Sequence, residues 1–162
     1  MSVEIERKFL LGAEPDWSAF AGQTIGRIEF EQVYLRVTEV EEKRIRKRTA
    51  NGVTSYEYAH LRPLRPGVRA VDEVAIDGAE YDRLLAGRDG TRQVIRKTRR
   101  TFPWDAWQYE VDHIREPAGR ACWLLEVQVS REDDVVALPE FLAVLREVTD
   151  EPLFRNAHIA LG

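Results

Sequence analysis

Cysteine is nearly absent: Cys122 is the only one in 162 residues. That excludes an intramolecular disulfide framework and a zinc site built on several thiolates. No apolar run approaches the roughly 20 residues that cross a bilayer, so no membrane partner is expected. The opening residues, MSVEIERKFLL, bring acids early and lack the hydrophobic stretch of a cleavable leader. Net positive charge is missing too. Lys and Arg number 24 against 28 Asp and Glu, leaving −4 at pH 7, a balance that argues against a general nucleic-acid binder. No repeat, low-complexity tract or long linker divides the chain. The expectation is one soluble, cytoplasmic domain over 1–162, long enough to bury roughly two thirds of its unfolded surface. At 44% hydrophobic residues, disorder of the whole chain is excluded.

What is abundant is charge in local clusters. Lys43-Arg44-Ile45-Arg46-Lys47-Arg48 and Arg96-Lys97-Thr98-Arg99-Arg100 are densely cationic inside an acidic chain. Several stretches alternate with the period of a strand. In 3–9, Glu4, Glu6 and Lys8 share one face, with Val3, Ile5, Arg7 and Phe9 on the other. In 107–113, Gln108, Glu110 and Asp112 oppose Trp107, Tyr109, Val111 and His113. In 123–129, Leu124, Glu126 and Gln128 oppose Trp123, Leu125, Val127 and Val129. Weaker patterns at 28–38, 43–50, 53–61, 69–76 and 92–102 bring the expected strands to eight. Two prolines and a glycine in 61–67 read as a loop. Asp77 and Glu80 cap a predicted helix over 78–86. Pro139, followed by Phe141, Leu142, Leu145 and Val148 at helical spacing, predicts a second helix. Asn156 is expected to cap a short final one, and 16–21 reads as a brief helical turn.

Many strands with few helices suggest an antiparallel sheet or barrel. The polar faces carry both signs: acids at 4, 6, 110, 112 and 126, bases at 44, 46 and 96–100. On a strand, Glu4 and Glu6 lie about 6.6 Å apart on one face. Such carboxylates suit a hard divalent cation, with Lys8 one step further for a phosphate. Alternating charge is also what any solvated strand displays.

The ordered set Val3-Glu4-Ile5-Glu6-Arg7-Lys8-Phe9-Leu10, Gln32-Val33-Tyr34-Leu35-Arg36, Arg44-Ile45-Arg46, Arg69…Glu73, Ile95-Arg96-Lys97-Thr98-Arg99, Tyr109-Glu110-Val111-Asp112, Leu125-Glu126-Val127, Val148-Thr149-Asp150 and Phe154-Arg155-Asn156 resembles the CYTH family, the triphosphate tunnel metalloenzymes. The resemblance implies an α+β, mainly antiparallel fold: an eight-stranded closed tunnel barrel with a few flanking helices. It implies metal-dependent hydrolysis of tripolyphosphate or a small organic triphosphate, with class IV-type adenylate cyclase or a catalytically weakened binding barrel as alternatives. Glu4, Glu6, Glu126 and Asp112 would hold Mg²⁺ or Mn²⁺. Lys8, Arg44, Arg46, Arg69, Lys97 and Arg99 would grip phosphate oxygens, as forked cations do. Lys8 and either Glu73 or Glu110 would serve catalysis. The partner implied is a small-molecule triphosphate, and a homodimer is compatible with it. Three positions depart from the family's pattern. His60 stands where a tunnel lysine is expected, Val71 where an acid is, and Gln128 where the second acid of a Glu-x-Glu pair is. Elsewhere, Cys122 reads as a structural thiol, His113 as core or edge, and His158 as surface.

Overall fold

The computed structural model describes residues 1–162. Nine strands form one antiparallel sheet. They are β1 (Ser2–Leu11), β2 (Gly26–Val37), β3 (Glu42–Ala50), β4 (Val53–Arg65), β5 (Val68–Ile76), β6 (Ile95–Trp104), β7 (Trp107–Glu116), β8 (Cys122–Val129) and β9 (Val144–Glu147). The order β5-β4-β3-β2-β6-β7-β8-β1 closes on itself because β5 also pairs with β1, and β9 is added at β1. The result is a closed eight-stranded barrel with one extra strand.

β1 is shared at the closing seam. Its first residues pair with β5, Ile5 opposite Val68, and its last with β9, Phe9 opposite Glu147. Between the two, Glu6 donates its N–H to the carbonyl of Gly67, and Val148 donates to the carbonyl of Lys8. Gly67 adopts φ +74, and a Cβ there would lie 2.8 Å from the Glu6 carbonyl oxygen. Only glycine lets the chain come this near at that angle.

The structure corrects four expectations. The stretch after Pro139 is not a helix: a 3₁₀ turn at Glu140–Leu142 stops at Ala143, whose φ of 52 is left-handed, and β9 follows. Edge pairing with β1 outweighs the helical spacing. Residues 61–67 are mostly strand, for β4 runs to Arg65 and only Pro66 and Gly67 turn. Pro63 is tolerated because β4 outruns β3 beyond the Leu61–Glu42 pair, leaving one edge without a ladder to break. Asn156 begins α2 (Asn156–Ile159) rather than capping it, and its side chain serves Lys97 instead. His158, expected at the surface, is half-buried with its Nδ1 enclosed. Two helical readings hold. α1 (Gly78–Leu85) starts where the Asp77 carboxylate accepts from the Glu80 N–H, and Asp16 caps the turn at Trp17–Phe20.

Apolar side chains lie in three places. On the outer face of β1, β6, β7 and β8, Phe9, Phe102, Tyr109, Val111, Leu125 and Val127 pack under the segments holding Phe20, Val136 and Leu142. α1 sets Tyr81 against Val33 and Ile45 on the outer face of β2 and β3. The third cluster is inside. Tyr34, Ile95, Ile114 and Leu124 meet Val148, Ala157, Ile159 and Ala160 of the C-terminal segment, which shuts one end of the bore. No helix is long and apolar enough to cross a membrane.

Candidate active site

Strand alternation sends every second side chain inward. Moving along each strand from the closed end gives Lys8, Glu6 and Glu4 on β1, and Gln32 and Phe30 on β2. It gives Arg44 and Arg46 on β3, Lys97 and Arg99 on β6, Asp112 and Glu110 on β7, and Glu126 on β8. β5 adds Arg69 beside Glu4, and β4 and β5 add Glu57 and Glu73 beside Arg46. The bore is therefore lined by both signs of charge.

Most of these groups neutralise one another. Asp112, with no exposure, accepts from Lys97 Nζ at 2.7 Å and from Arg99 Nε and Nη2 at 2.7 and 2.9 Å. Arg99 also reaches Glu126 at 3.1 Å and pairs with Glu110. Lys8 Nζ stands 3.4 Å from Glu126 and donates to the Phe154 carbonyl at 3.2 Å. Asn156 Oδ1 accepts from Lys97 at 3.0 Å. Arg69 bonds Glu4 at 3.0 Å, and Arg46 pairs with Glu57 and with Glu73 at 3.2 Å. The Phe30 ring lies 4.8 Å from the Arg46 guanidinium and 5.5 Å from that of Arg99, within cation–π range. Arg44 differs. It is buried, its Nε has no partner, and it forms no ion pair.

The titration directions sort the carboxylates. Burial favours the neutral form of each. At Asp112, Arg99 and Lys97 overcome that burial and hold the carboxyl below its usual range. At Glu126, Lys8, Arg99 and Lys97 do the same more strongly. Glu6 goes the other way: burial and then the Glu126 charge push it up, and its nearest cation, Arg69, is 3.8 Å off. Burial also raises Glu110, against the pull of Arg99. Among the bases, burial and then Arg44 lower Arg46 to about 10.

Glu6, Glu110 and Glu126 thus carry mutual repulsion that a cation would relieve. Their oxygens are the hard donors that Mg²⁺ and Mn²⁺ take, so the donor set fits such an ion in kind. The side chains are not drawn together for it: no three acidic, His or Cys residues are grouped closely enough to hold a metal. Glu4 is engaged by Arg69, and Asp112 by Lys97 and Arg99.

Every residue that the sequence offered for metal, phosphate or catalysis lies on the inward face of its strand. Lys8, Glu126, Arg99, Asp112, Lys97 and Glu110 are joined in one network. Glu73 stands apart, half exposed beside Arg46. His60 faces outward instead, its Nε2 2.7 Å from Glu41, because the inward parity of β4 belongs to Glu57, Ala59 and Leu61. Val71 closes over Ala59 and Leu61 as a buried apolar patch, and Gln128 is exposed. His113 stacks on Trp123 outside the barrel at 4.0 Å. Sequence reading missed Phe30, Gln32, Glu57 and Asn156. The parity of Tyr34 marks the first two. Nothing local marks Asn156, which reaches Lys97 from 59 residues away.

A groove of about 1120 Å³ lies outside the bore, between β1, residues 132–140 and β9. Glu132, Asp133, Asp134, Glu140, Glu147 and Asp150 line it. Acids there repel a polyanion, so the groove is no rival to the bore for one.

No family model matches the chain. No curated protein matches it either. Among solved structures it is similar to the inorganic triphosphatase NE1496, with TM-score 0.64 and 25% identity over 100% of this chain and 97% of that one. It shares its fold with the PH1819 protein from Pyrococcus horikoshii OT3, at TM-score 0.62 and 20% identity over 81% and 80% of the two chains. It also shares it with HpAC1 from Hippeastrum, described as revealing a dominant triphosphatase activity, at TM-score 0.53 and 17% identity over 81% and 80%.

Proposed function

We propose that this chain is a CYTH-type tunnel enzyme that hydrolyses a triphosphate with the help of Mg²⁺ or Mn²⁺. The observation that carries the reading is the bore itself, where Lys8, Arg44, Arg46, Arg69, Lys97 and Arg99 converge and Arg44 is left without an anion. A buried cation without a partner is costly, and a phosphate oxygen satisfies it. The likeness to an inorganic triphosphatase over the full chain supports the same reading.

Charge bookkeeping explains the need for metal. Glu4, Glu6, Glu57, Glu73, Glu110, Asp112 and Glu126 face those six bases, so the bore has no net positive charge for a polyanion. Glu6 and Glu126, with Glu110 or Glu4, would hold a divalent ion, whose charge would reverse that balance. When bound, such an ion supplies Lewis-acid polarisation of phosphate oxygens.

The chain's own residues do the rest. Arg44 and Arg46 seat the phosphate nearest the closed end. Lys8, Lys97 and Arg99 exchange carboxylate oxygens for phosphate oxygens and stabilise the charge that spreads over the transferring phosphoryl group. Glu110, raised by burial and close to the Arg99 fork, orients the attacking water. Glu73, at the periphery beside Arg46, is less suited to that task. The apolar floor of Ile95, Ile114 and Leu124 keeps bulk water from the closed end. The protein works in the cytoplasm in this reading, where a free Cys122 stays reduced.

A second reading, a barrel that binds polyphosphate and turns it over poorly, is favoured by one observation: Val71 is packed into an apolar patch where an acid is expected. A phosphate-release panel separates the two. It uses tripolyphosphate, ATP and thiamine triphosphate with Mg²⁺ or Mn²⁺, and ATP products are checked for cyclisation. The proposal expects orthophosphate from at least one substrate. Binding without release favours the second reading, cyclic product favours a cyclase, and neither binding nor release rejects a triphosphate site.

A further inference from the structure

Two polar groups at the deep end of the bore are left open. Gln32 has no exposure. Its Nε2 donates to the Tyr34 hydroxyl at 2.7 Å, and its Oε1 has no partner. Arg44, opposite Tyr34 across the β2–β3 ladder, is 6% exposed, and its Nε has no partner. The Tyr34 hydroxyl accepts from Gln32, and Arg44 faces Tyr34 across the ladder. An unpaired acceptor and an unpaired donor thus flank Tyr34, which belongs to the apolar floor. A buried amide that only fills space normally satisfies both of its ends, so the open end marks a place for a ligand atom.

We propose that Gln32 is a specificity residue that reads the terminal phosphate of the substrate. The inference rests on the triphosphate reading and deepens it. The chemistry is complementary. An internal phosphate of a polyphosphate chain offers only acceptor oxygens. A terminal phosphate, singly protonated, offers an acceptor oxygen and a P–O–H donor side by side. Arg44 Nε–H meets the first and Gln32 Oε1 the second. A substrate therefore enters terminal phosphate first and stops where the floor begins.

Calorimetric titration of the full chain with Mg²⁺ present tests this, comparing linear tripolyphosphate with cyclic trimetaphosphate, which has no terminal group. Wild type binds the linear ligand more tightly. Gln32→Leu weakens tripolyphosphate binding about tenfold, the size of one hydrogen bond to a charged group, and leaves trimetaphosphate unchanged. Tyr34→Phe, which frees the amide without touching it, shows a smaller loss in the same sense and decides the matter if Gln32→Leu does not fold. Equal losses for both ligands, or none, overturn the role of Gln32 while the triphosphate reading stands. Wild type that fails to bind tripolyphosphate overturns both.

Discussion

Arg99 grips Asp112 with a two-pronged fork, Nε and Nη2 at 2.7 and 2.9 Å, around a carboxylate that no solvent reaches. Bidentate pairing of this kind fixes direction as well as charge. It aims the rest of the Arg99 guanidinium at Glu126 and Glu110, where the chemistry is proposed. Removing one partner strands the other, and an uncompensated buried charge costs about 3–5 kcal/mol. Asp112→Ala is therefore expected to lower stability by that amount in urea denaturation. A loss under 1 kcal/mol contradicts the pairing.

The same carboxylates set the acid limit of the metal-free fold. Asp112 and Glu126 titrate below their unfolded values. Their contribution is present above the unfolded carboxylate range, about pH 4, and is lost as pH falls through their folded values. Glu6 and Glu110 act in the opposite sense, because their raised values favour the protonated fold. Divalent metal needs these two ionised. The shift of melting temperature by Mn²⁺ is thus expected to grow from pH 5 to pH 8, and a shift that shrinks contradicts the assignment.

Arg44 carries a cost when no ligand is present. Replacing a buried unpaired charge with an apolar group of similar length is neutral or stabilising. Arg44→Met is expected to melt at the wild-type temperature or a few degrees above. Its turnover is expected to fall roughly 10²- to 10³-fold, on the scale of one lost donor to developing charge. Lower stability together with wild-type turnover contradicts the role given to Arg44.

Gly67 closes the seam between β5 and β1. An added Cβ meets the Glu6 carbonyl oxygen and Thr149 Cγ2, each at 2.8 Å, at a φ of +74. Gly67→Ala is expected to destabilise the fold by about 2 kcal/mol or more, and amide exchange is expected to quicken first at Glu6 and Val148. Unchanged exchange at these two amides contradicts the seam.

The barrel was legible because its strands keep strict alternation where it matters. Glu110 and Asp112 fall opposite Tyr109 and Val111, and Glu4 and Glu6 opposite Ile5, so inward and outward faces follow from parity. β9 was not legible. Phe141, Leu142, Leu145 and Val148 do have helical spacing, and only the left-handed backbone of Ala143 and an open edge on β1 turn the segment into a strand. The pairing inside the bore was also hidden, since parity places Glu126 and Arg99 inward but only register decides that they meet. His60 shows the limit most plainly. A single step of parity separates an inward cation from an outward one, and in β4 that step goes to Ala59 and Leu61.

The central claim is that carboxylates and bases in one bore use a divalent cation to act on a polyanion, and Glu6 tests it most directly. The measurement is orthophosphate release from tripolyphosphate by wild type and Glu6→Gln, each with and without Mn²⁺, alongside their melting temperatures. The account predicts Mn²⁺-dependent release by wild type alone, with the variant at least as heat-stable because a repelled, buried carboxylate has been neutralised. Wild-type release surviving in Glu6→Gln contradicts it.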